Sequence, residues 1–104
     1  MLFHKDLTGF TADRAWGSTL LGEVDGVTVK VHWTDTPYRW HVNDGAEVFV
    51  VLAGTVDMHW KDGAETRITR LEAGDSCTAA IGDAHVAHPI GPTRILVVER
   101  KDSV

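Results

Sequence analysis

Between positions 27 and 34 the chain alternates strictly. Val27, Val29, Val31 and Trp33 are apolar, and Thr28, Lys30, His32 and Thr34 between them are polar. A period of two is the mark of a β-strand with one buried face. Val56, Met58 and Trp60 alternate with Thr55, Asp57 and His59 in the same way. Asp62-Gly63 follows, a pair that tolerates the positive φ of a tight hairpin turn. Residues 65–71 and 94–99 read as further strands. Residues 48–53 are apolar on both faces, as expected of a central strand covered by a second layer. Glycines at 45, 54, 63, 74, 82 and 91 recur every eight to eleven residues, the turn spacing of a sandwich or barrel. No segment carries a helical period, and residues 11–16 would form one turn at most. The pattern predicts an all-β chain of eight to ten strands in a closed or sandwiched barrel.

Composition narrows this further. A chain of 104 residues is one domain, 1–104. Fifteen acidic against ten basic residues give a net charge of −5 with no Lys/Arg cluster, which argues against nucleic acid as a partner. Cys77 stands alone, so no intrachain disulfide forms. The N-terminal apolar residues are interrupted by His4, Lys5 and Asp6, and the longest apolar run, residues 48–53, is too short for a bilayer. A cytoplasmic protein with no membrane partner is the expectation.

Six histidines are unusual for this length. His4, His32 and His59 fall on polar faces and are expected at the solvated surface. His41 and His85 differ. In a strand, Arg39, His41 and Asn43 share a face. Asp44-Gly45 then lets the chain bend, which would bring Glu47 back to the same spot. His85 follows the turn Gly82-Asp83-Ala84. Two imidazoles, a carboxylate and an amide oxygen make a ligand set for a transition metal. Phe49 and Val51 share the parity of Glu47 and should line the barrel floor. Arg39 would sit at the rim, paired to a surface acid or reaching for a substrate carboxylate. Trp33 and Trp60 read as packing residues. His88 falls on the face opposite His85 unless a bulge turns it into a spare ligand, and Cys77 reads as a small buried thiol.

The stretch His41-x-Asn43-x3-Glu47-x6-Gly54 resembles the first motif of the cupin superfamily, G-x5-H-x-H-x(3,4)-E-x6-G. Gly74-x5-Ala80-x-Gly82-x2-His85-x3-Pro89 resembles the second, G-x5-P-x-G-x2-H-x3-N. The two cover about residues 39–54 and 74–89. The resemblance implies a single jelly-roll β-barrel, commonly a homodimer. It also implies a divalent transition metal (Zn, Fe, Ni or Mn) held by His41, Asn43, Glu47 and His85. Asp35, Ala80 and Pro89 depart from the pattern at turn positions. Asn43 departs at a ligand: it stands where the family has its second histidine and offers an amide oxygen instead of an imidazole nitrogen. Two functions follow. One is a metal-dependent enzyme acting on a small carbohydrate or carboxylate-type metabolite, with no general base identifiable. The other is a non-catalytic small-molecule binding or sensing module whose metal site is degenerate or absent.

Overall fold

The computed structural model describes residues 1–103. Seven strands occur among them: β1 (Gly17–Val24), β2 (Val27–Thr34), β3 (His41–Val42), β4 (Glu47–Asp62), β5 (Glu65–Glu72), β6 (Ser76–Ala79) and β7 (Ala84–Arg100). A 3₁₀ turn at Leu7–Gly9 precedes β1. Among the described residues no helix is long and apolar enough to cross a membrane. All strand pairs are antiparallel, in the order β1-β2-β7-β4-β5, with β3 beside β7 and β6 beside β4.

The strand number is lower than the eight to ten expected, for a physical reason. Residues 48–53 and 56–60, read from the sequence as two strands, belong to one strand of 16 residues, and β7 has 17. These two long strands pair from Glu47↔Glu99 to Trp60↔His85, with register shifts on either side of Ala53. At the shifts both strands turn a corner, as strands do when they pass from one sheet to another through a bulge. The first half of the ladder continues into β2, β1 and β6, and the second half into β5 and β3. The core lies between the halves: Phe49, Val51, Ile95 and Val97 from the first pack with Val56, Met58, Leu71 and Ala87 from the second.

Gly54 sits at the corner. Its φ is +88°, and a Cβ there would stand 2.7 Å from the carbonyl oxygen of Pro92 and 3.1 Å from the Thr93 Cα. The two backbones approach too closely for any side chain, so the corner itself requires glycine.

The alternation in β2 has the expected period, but its faces are reversed. Thr28, Lys30, His32 and Thr34 lie opposite Glu99, Val97, Ile95 and Thr93 of β7. Val97 and Ile95 lie in turn opposite Phe49 and Val51. Ladder partners share a face, so the polar residues of β2 look into the sandwich. Val31, on the back, is also fully buried. The N-terminal segment runs over that back: Arg94 donates from Nε to the Phe10 carbonyl (2.8 Å) and from Nη2 to Thr11 Oγ1 (3.1 Å). Cover on the back makes the apolar row an outer one and leaves the polar row for the interior.

Gly54→Ala is expected to cost about 2 kcal/mol or more, from a strained φ and a clash with backbone that cannot move aside. Gly22→Ala, which meets nothing within 4 Å, should stay within about 1 kcal/mol of the parent. Urea unfolding of the two variants checks this, and equal midpoints would contradict the corner argument.

Candidate metal centre

The site is assembled from the two ends of the bent ladder. β3 pairs with the start of β7, placing His41 directly opposite His85 with ring centroids 4.4 Å apart. The loop after β3 is pinned at Asn43. Its N–H donates to the Asp83 carbonyl (2.9 Å), and its carbonyl accepts from the Gly82 N–H (2.9 Å). The Asn43 side-chain amide donates from Nδ2 to the Gly45 carbonyl (3.1 Å). That bond fixes the amide and turns Oδ1 toward His85 Nε2, 2.6 Å away. Glu47, the first residue of β4, places Oε1 3.1 Å from the same Nε2 and 3.8 Å from His41 Nε2. Asn43, Glu47 and His85 are buried, and His41 nearly so.

His41 Nε2, Glu47 Oε1 and His85 Nε2 therefore come together, and Asn43 Oδ1 lies against His85 Nε2 beside them. One ligand atom from each of His41, Glu47 and His85 lies within 4.8 Å of the others. Ligands about 2.0–2.2 Å from a metal stand about 3 Å apart; the His85–Asn43, His85–Glu47 and His41–Glu47 separations are 2.6, 3.1 and 3.8 Å, so a metal would need mainly His41 to draw inward. His41 is already in the right tautomer. Its Nδ1–H donates to the Arg39 carbonyl (3.1 Å), which leaves the Nε2 lone pair free. The donor set fits a divalent transition metal.

Beside these atoms lies a cavity of about 170 Å³, walled by Trp16, His32, Tyr38, Phe49 and Glu99 as well as the site residues. Burial pushes the Glu47 pKa up, but hydrogen bonds with His85, Glu99 and Asn43 and the charge of His85 outweigh it, and the carboxylate sits below its ordinary value. Glu99, its ladder partner, goes the other way. Burial, then the hydrogen bond to and the charge of Glu47, push its pKa up to about 8. The pair thus resists ionising twice and shares one proton, with Glu99 the carboxyl that is pushed up. Burial also lowers the His32 pKa, against the opposing hydrogen bond from its Nδ1–H to the Trp16 carbonyl (3.3 Å).

No protein-family model matches the chain, and no curated protein matches it in sequence. Solved structures do match in shape. A cupin-2 domain protein from Shewanella frigidimarina is 22% identical, with a TM-score of 0.76 over 86% of this chain and 84% of that one. A cupin superfamily protein from Desulfitobacterium hafniense is 16% identical, with a TM-score of 0.71 over 88% and 84%. The chain has the cupin fold. A third match is a hydroquinone 1,2-dioxygenase in complex with Cd2+ and 4-hydroxybenzonitrile. It is 18% identical, with a TM-score of 0.72 over 86% of this chain and 66% of that one.

Within this cupin fold the structure brings His41, Asn43, Glu47 and His85 together and sorts the remaining candidates. Phe49 and Val51 are core residues on the floor, as expected from parity. Arg39 is exposed and lies over the Tyr38 ring, 4.9 Å from its centroid, with no carboxylate partner among the described residues. His88 is on the outer face, stacked on His59 at 3.9 Å, so it is no spare ligand. Trp60 packs against the core and donates Nε1–H to Thr69 Oγ1 (3.0 Å). Cys77 is half-buried, and burial raises its pKa to about 11, an unreactive thiol. One expectation fails: His32 is not at the solvated surface but in the cavity wall, because the polar face of β2 points inward.

Trp16, Tyr38 and Glu99 escaped the sequence reading. Glu99 was accessible from parity, since it alternates in step with Val97 and Ile95. Trp16 and Tyr38 lie outside the strands. Trp16 is held by an Nε1–H bond to the Thr36 carbonyl (2.9 Å) and by edge contacts with His32 and Tyr38, for which no local pattern exists.

In metal-free protein the native state holds a proton on Glu99 up to about pH 8, whereas the unfolded chain releases it near pH 4.3. The native state then binds more protons, so this group makes stability fall as pH rises through that window. Glu99→Gln removes the effect. The Tm of the variant relative to the parent is expected to rise steadily between pH 5 and pH 8; a constant difference in thermal melts would contradict the shared proton.

Proposed function

We propose that the protein binds a divalent transition metal (Zn, Fe, Ni or Mn) through His41, Asn43, Glu47 and His85. We propose further that it is a metal-dependent enzyme acting on a small metabolite, of carbohydrate or carboxylate type, held in the adjoining cavity. The observation that carries this reading is the convergence of His41, Glu47 and His85, with the Asn43 amide oxygen against His85, beside a cavity. Solved structures similar in shape, a hydroquinone 1,2-dioxygenase with Cd2+ and HppE with Co(II) and substrate, support it. A metal there supplies Lewis acidity toward a carbonyl, hydroxyl or water. The chain's own residues do the rest. His41, Glu47 and His85 hold the charge, and the His41–Arg39 hydrogen bond keeps that ring oriented. Trp16, Tyr38 and Phe49 supply apolar wall on which a bound metabolite would pack. Glu99 and His32 face the same space and are the side chains placed to hold or move a proton.

A second reading has an observation in its favour. The short His85–Asn43 contact and the His85–Glu47 contact also satisfy each other as a hydrogen-bonded cluster. In that case the module binds or senses a small molecule without metal chemistry. We also propose a homodimer through the back of the first sheet, where Val48, Val50, Leu96 and Val98 are only half-buried. Light scattering should return twice the 11.4 kDa chain mass, and a monomer at micromolar concentration would contradict it.

Elemental analysis of tag-free protein, followed by titration of the chelated form, separates the two readings. One equivalent of metal per chain is expected. A His41→Ala/His85→Ala variant should bind metal more than about a hundredfold more weakly while remaining folded, and Asn43→His should tighten binding about tenfold. No saturable binding by the parent would leave the metal-free module as the function.

A further inference from the structure

The four candidate ligands do not use up the polar wall of the cavity beside Glu47. His32 stands on the inward face of β2, opposite Ile95 of β7, and walls the same space as Glu47 and Phe49. Its Nδ1 lies 3.3 Å from the Trp16 carbonyl oxygen. A carbonyl only accepts, so Nδ1 carries the ring proton and Nε2 holds a bare lone pair. Nε2 has no hydrogen-bond partner among the described residues, yet it is not sealed off. The one buried side-chain polar atom without a partner among those residues is His85 Nδ1. His32 Nε2 is therefore accessible, and the charge of Glu47 reaches its ring.

The tautomer is held by an unusual piece of backbone. Trp16 has a φ of +61°, in the left-handed region, where a bulky residue is rarely found. Its surroundings fix that conformation. The indole Nε1–H donates to the Thr36 carbonyl (2.9 Å), and the Gly17 N–H closes a turn onto the Arg14 carbonyl (3.2 Å). The indole also meets the rings of His32 and Tyr38 edge-on, at 5.9 and 5.2 Å. The Thr36 carbonyl is anchored in turn by the hydroxyl of Thr34, a fully buried residue, which donates to it (2.9 Å). Strain persists where the surroundings over-determine it, and such places cluster at ligand sites. Here it accompanies a carbonyl aimed at His32 Nδ1. The wall also limits what Nε2 can meet. No lysine or arginine lines the cavity among the described residues, so an anionic group away from the metal would lie unpaired. A neutral hydroxyl is a fitting donor.

We propose that His32 Nε2 is the hydrogen-bond acceptor for a hydroxyl group of the bound metabolite, and that Trp16 is the residue that positions it. The inference rests on the reading of this cavity as the metabolite site and narrows the substrate class. A hydroxy acid or a polyol fits, and its deoxy counterpart loses the contact. Trp16 acts through His32, by holding the proton on Nδ1.

Long-range ¹H–¹⁵N correlation spectra of metal-free protein at pH 7 read the tautomer. A protonated Nδ1 and a bare Nε2 are expected for His32. Trp16→Phe keeps an aromatic wall but loses the bond to Thr36, and it should mix the two tautomers. Ligand-observed NMR then compares 3-hydroxybutyrate with butyrate, which differ by one hydroxyl, at saturating zinc and in chelated protein. The hydroxy acid is expected to bind the parent about tenfold more tightly. The preference should vanish in His32→Phe and return in part in His32→Gln, whose side-chain oxygen also accepts. An Nε2–H tautomer or an imidazolium in the parent, equal binding of the two acids, or a preference that survives His32→Phe overturns the proposal. A hydroxyl preference in chelated protein, with no binding of zinc, would overturn only the metal reading.

Discussion

The pairing between β4 and β7 runs unbroken in direction from Glu47↔Glu99 to Trp60↔His85, and it bends in the middle. Glu47 and His85 sit at opposite ends of this ladder. In a flat sheet they would be tens of ångströms apart, at about 3.3 Å per residue. The corner at Gly54 and Pro92 folds the ladder on itself, and the side chains of Glu47 and His85 come within 3.1 Å. The core between the halves and the cavity beside Glu47 depend on the same fold-over. A residue with a side chain at position 54 would push the two backbones apart at the hinge that closes the site.

Around that hinge, short-range bonds set the aim of each side chain. The Arg39 carbonyl fixes the ring of His41, the Gly45 carbonyl fixes the amide of Asn43, and Glu47 is set by its place as the first residue of a central strand. Asn43 is therefore neither a neutral replacement nor a loss. It gives up a nitrogen ligand, and in exchange it ties the loop to Gly45 and presents an oxygen to His85. Neighbouring Glu99 holds a proton where a second bare carboxylate would repel Glu47. A metal cation at the site would lower the cost of ionising that pair, so metal binding and the proton on Glu99 oppose one another.

The sequence carried the meeting of the four candidate side chains better than their surroundings. His41, Asn43, Glu47 and His85 were legible because a strand repeats every two residues and because their spacing resembles a known motif. The all-β class was legible from glycine spacing. The strand number was not, since a bulged corner within one strand looks like a turn between two. The direction of β2 was not legible either. Alternation gives two faces, and which one is interior depends on the N-terminal segment that covers the back at Arg94. That single ambiguity hid His32. Trp16 and Tyr38 enter the cavity from loops, where no period points to them.

The central claim is that these four side chains form the coordination shell of one metal ion. X-ray absorption spectroscopy of zinc-loaded protein tests it most directly. The account predicts a shell of nitrogen and oxygen neighbours only, at about 2.0–2.1 Å, with outer-shell scattering from two imidazoles that falls to one in His41→Ala. A sulfur neighbour from Cys77, or a shell without imidazole, would contradict it.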